Sequence, residues 1–518
     1  MCGIWAVLKF KNEYLNSFNK IRHRGPDVSN YKIINDVFLG FHRLSIMDTS
    51  NHGWQPLSSY DTHVLNNGEI YNYTNFTSVH EKCDTYAILN LFKSMDEDDY
   101  GKIFNAFDGV FATIVYQDNR LIVARDPIGV RPLFYGICNG SYAFSSEYKG
   151  LSDFCEDIKP FPPGHYYMSD KNEFYCYYNY IYNGINIKEE NILHNQIKTR
   201  LINGVEKRLM GDRPIGLFLS GGLDSSLIAG ITRYLWPYVK LHTFSIGTEG
   251  SPDILCARKV AEYINSVHHE IIITLEDMWD VIPEVIRIIE TFDTTTIRAS
   301  TPMYLLSKYI KENTDITVLL SGESPDETCG GYLYFGNAPN KEEFGKENMR
   351  LLKNLYYYDV LRTDRTTAAN GLEVRVPFLD LRFLDLVMGI NPKYKVHTKD
   401  RCEKYMIRKA FEEMKLIPNE ILWRRKEAFS DGVSKKETSW HSYVKSRVDD
   451  IYTDDIYELK CLEINYMKPR TKEELFYRII FEKNYGKNYS NILDFWMPNQ
   501  DWFEEKLNDP SARSLKVY

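Results

Sequence analysis

Hydrophobic positions follow two different rhythms along this chain. Through the first third, apolar or alternating runs at 37–46, 62–70, 109–116, 121–124, 132–137 and 142–146 read as β-strands separated by turn signals. Little helix intervenes between some of them, which predicts antiparallel sheets. Asn139-Gly140, between PLFYGIC and SYAFSS, is the pair a type I′ hairpin needs, because both central residues take positive φ. Asp118-Asn119 is placed to turn the hairpin before it. A helix is predicted within 79–94, where Ala87, Leu89 and Leu91 stand among polar residues.

From about Pro160 the chain turns polar and tyrosine-rich with no sustained apolar period, and a domain boundary is expected near residue 185. Beyond it, strand-like runs at 215–219, 242–246 and 316–320 alternate with helical patterns such as Ile254, Ala257, Ala261 and Ile264. Alternating β and α predicts a parallel, doubly wound sheet. Residues 340–500 read as mostly helical, and the last dozen as a mobile tail.

Composition narrows the class. At roughly 150 residues per domain, 518 residues give two or three domains, and 43% hydrophobic against 26% charged residues is ordinary for globular folds. A net charge of −8 without a basic stripe excludes nucleic acid as the main partner. No apolar run approaches the roughly 18 residues of a membrane span, and the first residues lack a basic leader before an apolar run, so no membrane partner and a cytoplasmic location are expected. The nine cysteines form no CxxC pair, which points to neither a disulfide framework nor a zinc site.

Cys2 is the exception among them. Removal of the initiator Met would place its thiol beside a free α-amine, and an amine titrating near pH 7.7–8.0 can take the thiol's proton. Around it in sequence stand Arg22-His23-Arg24-Gly25-Pro26-Asp27, His42-Arg43-Leu44-Ser45-Ile46, Asn67-Gly68-Glu69-Ile70-Tyr71-Asn72 and Cys83-Asp84. A thiolate attacking a side-chain amide creates an oxyanion that needs two fixed donors, and the Asn67 amide beside the Gly68 N–H fits that need. Arg43 and Asp84 suit the carboxylate and ammonium of an amino-acid substrate.

These motifs, with MCGIWAV, ARDPIGVRPLFYG and SSEYKGL, resemble the class II glutamine amidotransferase domain, an N-terminal-nucleophile hydrolase fold. The resemblance spans residues 2–185. It implies a four-layer αββα sandwich, Cys2 as nucleophile, Asn67 and Gly68 as oxyanion hole, and a glutamine pocket of Arg43, Leu44, Ser45, Ile46, Met47, Asn67, Gly68, Glu69 and Asp84. Tyr86, where the family often has Glu, and a short segment before RHRGPD depart from the pattern.

In the second part, the run IGLFL leads into Ser220-Gly221-Gly222-Leu223-Asp224-Ser225-Ser226 and then a helical pattern. Adjacent glycines, hydroxyls and a helix N-terminus make a phosphate cradle, without the GxxxxGK[ST] spacing. SGGLDSS resembles the pyrophosphate-binding loop of ATP pyrophosphatases. After ITVLL comes Ser321-Gly322-Glu323-Ser324-Pro325-Asp326-Glu327, and later Glu373-Val374-Arg375 and Arg424-Arg425-Lys426-Glu427-Ala428. Together these resemble the glutamine-hydrolysing asparagine synthetase family over nearly the whole chain. The resemblance implies an α/β ATP-pyrophosphatase domain with added helices over 186–518. ATP would contact Leu219, Ser220, Gly221, Gly222, Asp224, Ser225, Ile246, Ser321 and Gly322. Mg²⁺ would sit on Asp224 and Asp326, Glu323 would assist ammonia's attack, Lys426 would stabilise charge on the pyrophosphate or intermediate, and Thr296, Arg298 and Ser300 fall in the strip expected to hold L-aspartate.

The family usually reads SGEGSDE where this chain has SGESPDE, and Ala428 and Ser434 replace a customary Gln and Gly. The reading is ATP-dependent synthesis of L-asparagine from L-aspartate with ammonia from L-glutamine, through β-aspartyl-AMP, with a homodimer as a family expectation. A cyclase on the same plan has no need of Cys2. A scaffold without activity would have no reason to keep Cys2, Asp224, Glu323, Asp326 and Lys426 together.

Overall fold

The computed structural model describes residues 1–94, 100–180, 189–398, 401–489 and 492–511. Twelve strands build the first part: β1 (Gly3–Leu8), β2 (Val28–Ile34), β3 (Val37–Arg43), β4 (Leu57–Ser59), β5 (Thr62–Ile70), β6 (Gly109–Gln117), β7 (Arg120–Arg125), β8 (Phe134–Cys138), β9 (Ser141–Ser145), β10 (Glu156–Pro160), β11 (His165–Met168) and β12 (Glu173–Cys176). They form two six-stranded sheets, β10-β8-β9-β1-β3-β2 and β12-β11-β7-β6-β5-β4, in which the paired neighbours run antiparallel.

Alternation assigns the layers. Ile4 and Ala6 of β1 face the second sheet and join Leu39, Phe41, Leu65, Ala112 and Ile114 in a core between the sheets. Trp5 and Val7 point the other way, onto Phe18 of helix α1 (Leu15–Asn19) and onto Phe38. Val64, Phe111 and Val115 point out of the second sheet onto Ala87, Ile88 and Phe92 of α2 (Thr85–Ser94) and Ile103 and Phe104 of α3 (Tyr100–Ala106). The result is the expected αββα sandwich, with only a short α1 in the segment that reads short before RHRGPD. Both predicted hairpin pairs take positive φ, 50° and 60° at Asp118-Asn119 and 50° and 74° at Asn139-Gly140.

The expected strand 37–46 ends at Arg43, where the chain leaves the sheet toward Cys2. The polar stretch after Pro160 is not loop throughout, since β11 and β12 extend the second sheet. The expected boundary near 185 lies outside the described residues. Helix α4 (Glu190–Lys207) belongs to the second core through Leu193, Ile197, Leu201 and Val205.

The second part holds a parallel sheet of β13 (Ile215–Phe218), β14 (His242–Gly247), β15 (Val267–Ile272), β16 (Val318–Leu320) and β17 (Glu373–Arg375), in the order β15-β14-β13-β16-β17. Helix α5 (Leu223–Leu235) covers one face with α4, and helix Thr294–Asn313 covers the other through Met303, Leu306 and Ile310. The winding runs outward from β13 to β15 and then reverses to β16, so β13 lies at the topological switch point, where open α/β sheets bind ligands. The final segment is not wholly a free tail: Asp509 receives two hydrogen bonds from Arg298, at 3.0 and 2.8 Å. Residues 512–518 lie outside the described set. Among the described residues no helix is long and apolar enough to cross a membrane.

Candidate functional site

Cys2 precedes β1 and lies beside the turn that ends β3. Its Sγ is 3.4 Å from the Leu44 N–H, and burial pushes the thiol's pKa up, only partly opposed by the nearby amine and this N–H. Arg24 Nε donates to the Cys2 carbonyl at 2.9 Å, while its Nη1 and Nη2 are held by Glu147 and, from the second part, Asp364. RHRGPD therefore fixes the backbone of Cys2 through Arg24, a role its spacing did not reveal.

Asn67 and Gly68 stand on β5. Among the described residues both polar atoms of the buried Asn67 side chain lack a partner, which leaves its amide free for a ligand. Gly68 has φ 150°, and a Cβ there would lie 2.0 Å from the Val110 oxygen, so only glycine fits. Asp84 accepts from the Ile70 N–H at 2.7 Å, and burial raises its carboxyl to about 6. Glu69 is raised well above its usual value by burial, with Glu373 adding to the rise, and sits 3.4 Å from Arg375 of β17. Arg43 donates to the carbonyls of Ser50 at 2.7 Å and Met47 at 3.2 Å and to that of Asp48. It thereby shapes the 47–50 loop.

The second site is a cavity of about 940 Å³ at the carboxyl ends of β13, β14 and β16. Leu219, Ser220, Gly222, Asp224, Ser225, Ile246, Ser321, Gly322, Glu323, Asp326 and Lys426 all line it. Gly221 does not: at φ 70° it turns away, and a Cβ there would lie 2.4 Å from the Ala257 nitrogen. Gly222 caps α5, whose N-terminus faces the cavity. A second lobe of about 820 Å³ shares Glu323, Asp326, Arg362, Lys426 and Phe429 with the first.

Lys404, which no motif indicated, bridges the two expected metal carboxylates. Its Nζ is 2.5 Å from Asp224 Oδ2 and 2.7 Å from Asp326 Oδ1, and Lys426 Nζ is 2.6 Å from Asp326 Oδ2. Burial pushes Asp326 upward, but the two lysines outweigh it and hold the carboxyl at about 2. Burial dominates at Asp224 and raises it. Glu323 is also raised by burial, against the pull of Arg362 at 2.8 Å.

Residues 1–161 match the glutamine amidotransferase domain family, and residues 196–351 and 336–504 match the asparagine synthase family. Similar relatives are a probable glutamine-hydrolysing asparagine synthetase of Acanthamoeba polyphaga mimivirus, 40% identical with both chains fully covered, and the glutamine-hydrolysing asparagine synthetase of Gallus gallus, 40% identical with 100% of this chain and 99% of that one covered. The Rattus norvegicus protein is likewise 40% identical at the same coverage. The chain belongs to the glutamine-hydrolysing asparagine synthetase family.

Membership gives the two clusters their partners in one ligase reaction and sharpens what sequence reading missed. Glu373 and Arg375 of β17 reach toward the first site, with Arg375 2.7 Å from Glu373 and Arg131 3.5 Å from Glu373. Arg298, expected near aspartate, is committed to Glu473 as well as Asp509. Ser434 accepts from the Trp440 N–H at 2.9 Å, so the departure from glycine is used locally.

Proposed function

We propose that the two sites divide one reaction and that ammonia passes between them inside the protein. The reaction is ATP-dependent synthesis of L-asparagine from L-aspartate, with glutamine as nitrogen donor and AMP, pyrophosphate and L-glutamate as the other products. One observation carries the division. Leu44 and Ile46, beside Cys2, pack on Ile215 and Val318 at the amino ends of β13 and β16, while Leu219 and Ser321 at the carboxyl ends of those strands line the nucleotide cavity. The two clusters of residues thus lie toward opposite ends of one sheet, with Ile215 and Leu219 about 13 Å apart along the strand at about 3.3 Å per residue.

In the first site, residues 2–185, Cys2 attacks the side-chain carbonyl of glutamine and the oxyanion accepts hydrogen bonds from Asn67 Nδ2 and the Gly68 N–H. Ammonia leaves, and water releases glutamate from the thioester. A buried thiol needs a base, and while Met1 is attached the Cys2 nitrogen is an amide without basicity, so removal of Met1 creates the base. Met1 belongs to the same apolar cluster as Phe218, Ile246, Met303 and Leu306, four residues that line the second cavity. Ionised Asp84 holds the glutamine ammonium; Arg43, with Leu44, Ser45, Ile46, Met47 and Glu69, forms the wall around the substrate.

In the second site, residues 186–518, the aspartate β-carboxylate attacks the α-phosphorus of ATP, and ammonia then displaces AMP from the β-aspartyl adenylate. The cradle from Ser220 to Ser225 holds phosphates, with Leu219, Ile246, Ser321 and Gly322 around the nucleotide. Asp224 and Asp326 would hold Mg²⁺. Asp224 Oδ1 is buried without a hydrogen-bond partner among the described residues, and a pair of carboxylates completed by phosphate oxygens suits this hard cation. When bound, Mg²⁺ offsets charge on the leaving pyrophosphate. Glu323, raised by burial, is tuned to take a proton from the attacking nitrogen, and Lys426 neutralises the phosphate side. The second lobe, joined to the first at Glu323, Asp326 and Lys426, takes aspartate.

Nine free thiols without a disulfide support a reducing, cytoplasmic setting, and a homodimer is inferred from the family resemblance. With glutamine, aspartate, ATP and Mg²⁺ supplied, asparagine, AMP and pyrophosphate form in equal amounts. Release of ADP and orthophosphate instead would refute adenylation.

A further inference from the structure

Ser324 carries two costs that the fold alone does not repay. Its backbone sits at φ 89°, ψ −16°, a left-handed conformation that a side chain makes unfavourable. Its residue is 3% exposed, and its hydroxyl has no hydrogen-bond partner among the described residues, a loss that a buried polar group rarely tolerates. A glycine would remove both. Pro325, by contrast, is at ease as the first residue of the short helix Pro325–Thr328, where an N–H is dispensable. The Ser324 carbonyl accepts from the Thr328 N–H at 3.2 Å and from its Oγ1 at 2.9 Å, which fixes the backbone.

Ser324 lines the second lobe and not the nucleotide lobe. The arginines and lysine of that lobe are already paired: Arg298 with Glu473 and Asp509, Arg362 with Glu323 and Asp359, Lys426 with Asp326. The hydroxyls of Ser324 and Thr295 are buried donors there without a hydrogen-bond partner among the described residues.

We propose that Ser324 Oγ donates a hydrogen bond to the α-carboxylate of the acceptor aspartate and is a specificity-determining residue for it. This rests on reading the second lobe as the aspartate site. The β-carboxylate must lie at the junction of the lobes to reach the α-phosphorus, so a residue outside the nucleotide lobe meets the other end of the substrate. A zwitterionic amino acid offers there the acceptor that an orphaned hydroxyl lacks.

Ser324→Ala and Ser324→Gly test this in the full chain, by pyrophosphate release with aspartate or with β-alanine, which lacks the α-carboxylate. Both variants lower the preference for aspartate over β-alanine by about 10- to 100-fold, the range for a lost hydrogen bond to a charged group, and raise the aspartate KM without changing the glutamine KM. The glycine variant relieves the left-handed strain, so a purely structural serine would show its loss in Ser324→Ala alone. That pattern, or unchanged preference in both variants, overturns the proposal. Thr295→Val separates the proposal from the reading beneath it. A raised aspartate KM there, with unaltered Ser324 variants, removes Ser324 alone; no effect at either position removes the aspartate lobe as well.

Discussion

Cys2→Ala lowers glutamine-dependent asparagine formation and glutaminase turnover by roughly 10⁴-fold or more, the scale on which removal of a catalytic nucleophile acts. Synthesis from ammonium salts stays within about twofold of the wild type. The expectation follows from the separation of the sites: the Cys2 thiol meets the Leu44 backbone, whereas the cavity proposed for the nucleotide is built at the far ends of β13, β14 and β16. Losing one sulfur leaves that cavity's walls in place. Steady-state rates with either nitrogen source check this, and parallel loss of both would mean that Cys2 supports the synthetase fold and not a separate chemical step.

Lys404→Met has the largest expected effect in the second site. Lys404 is buried between Asp224 and Asp326, and removing one partner of a buried ionic cluster costs about 3–5 kcal/mol because the remaining charges lose their compensation. Thermal unfolding of the variant therefore begins several degrees lower. A cation that binds the folded carboxylates stabilises by mass action, so added Mg²⁺ raises the variant's melting temperature more than the wild type's, where Lys404 competes for the same oxygens. Asparagine formation falls while glutaminase turnover continues. An unchanged melt, or equal Mg²⁺ responses in both proteins, would remove Lys404 from the role of internal counter-ion.

Features encoded locally were legible in the sequence. The two hairpin pairs carry their physical requirement within two residues, and both take the positive φ expected of them. The residues after IGLFL line the cavity, Gly221 excepted, because strand ends and the loops after them share one sheet edge. Features made by distant segments were not legible. Lys404 is not announced by any spacing, and it reaches Asp224 across 180 positions because the residue itself adopts φ 56° ahead of helix Tyr405–Glu412. Arg24 and Arg375 likewise gain meaning only when the two parts meet, through Asp364 and Glu69. The strands β11 and β12 were hidden by polar, tyrosine-rich composition, since the side chains they bury alternately on the two faces of the second sheet, Tyr167 and Phe174 on one and Tyr166, Met168 and Tyr175 on the other, are mostly tyrosines. Arg298 lines the second lobe, yet the acids that occupy it, Glu473 and Asp509, lie 175 and 211 positions away.

Nitrogen released at the proposed Cys2 site is expected to reach the adenylate without entering bulk water. Glutamine labelled with ¹⁵N in its amide, supplied with aspartate, ATP and Mg²⁺ in the presence of excess unlabelled ammonium, checks this by mass spectrometry of the asparagine formed. Internal transfer gives asparagine carrying ¹⁵N far above its share of the total free ammonia pool, in step with glutamate and AMP. Label diluted to the composition of the bulk pool would contradict it.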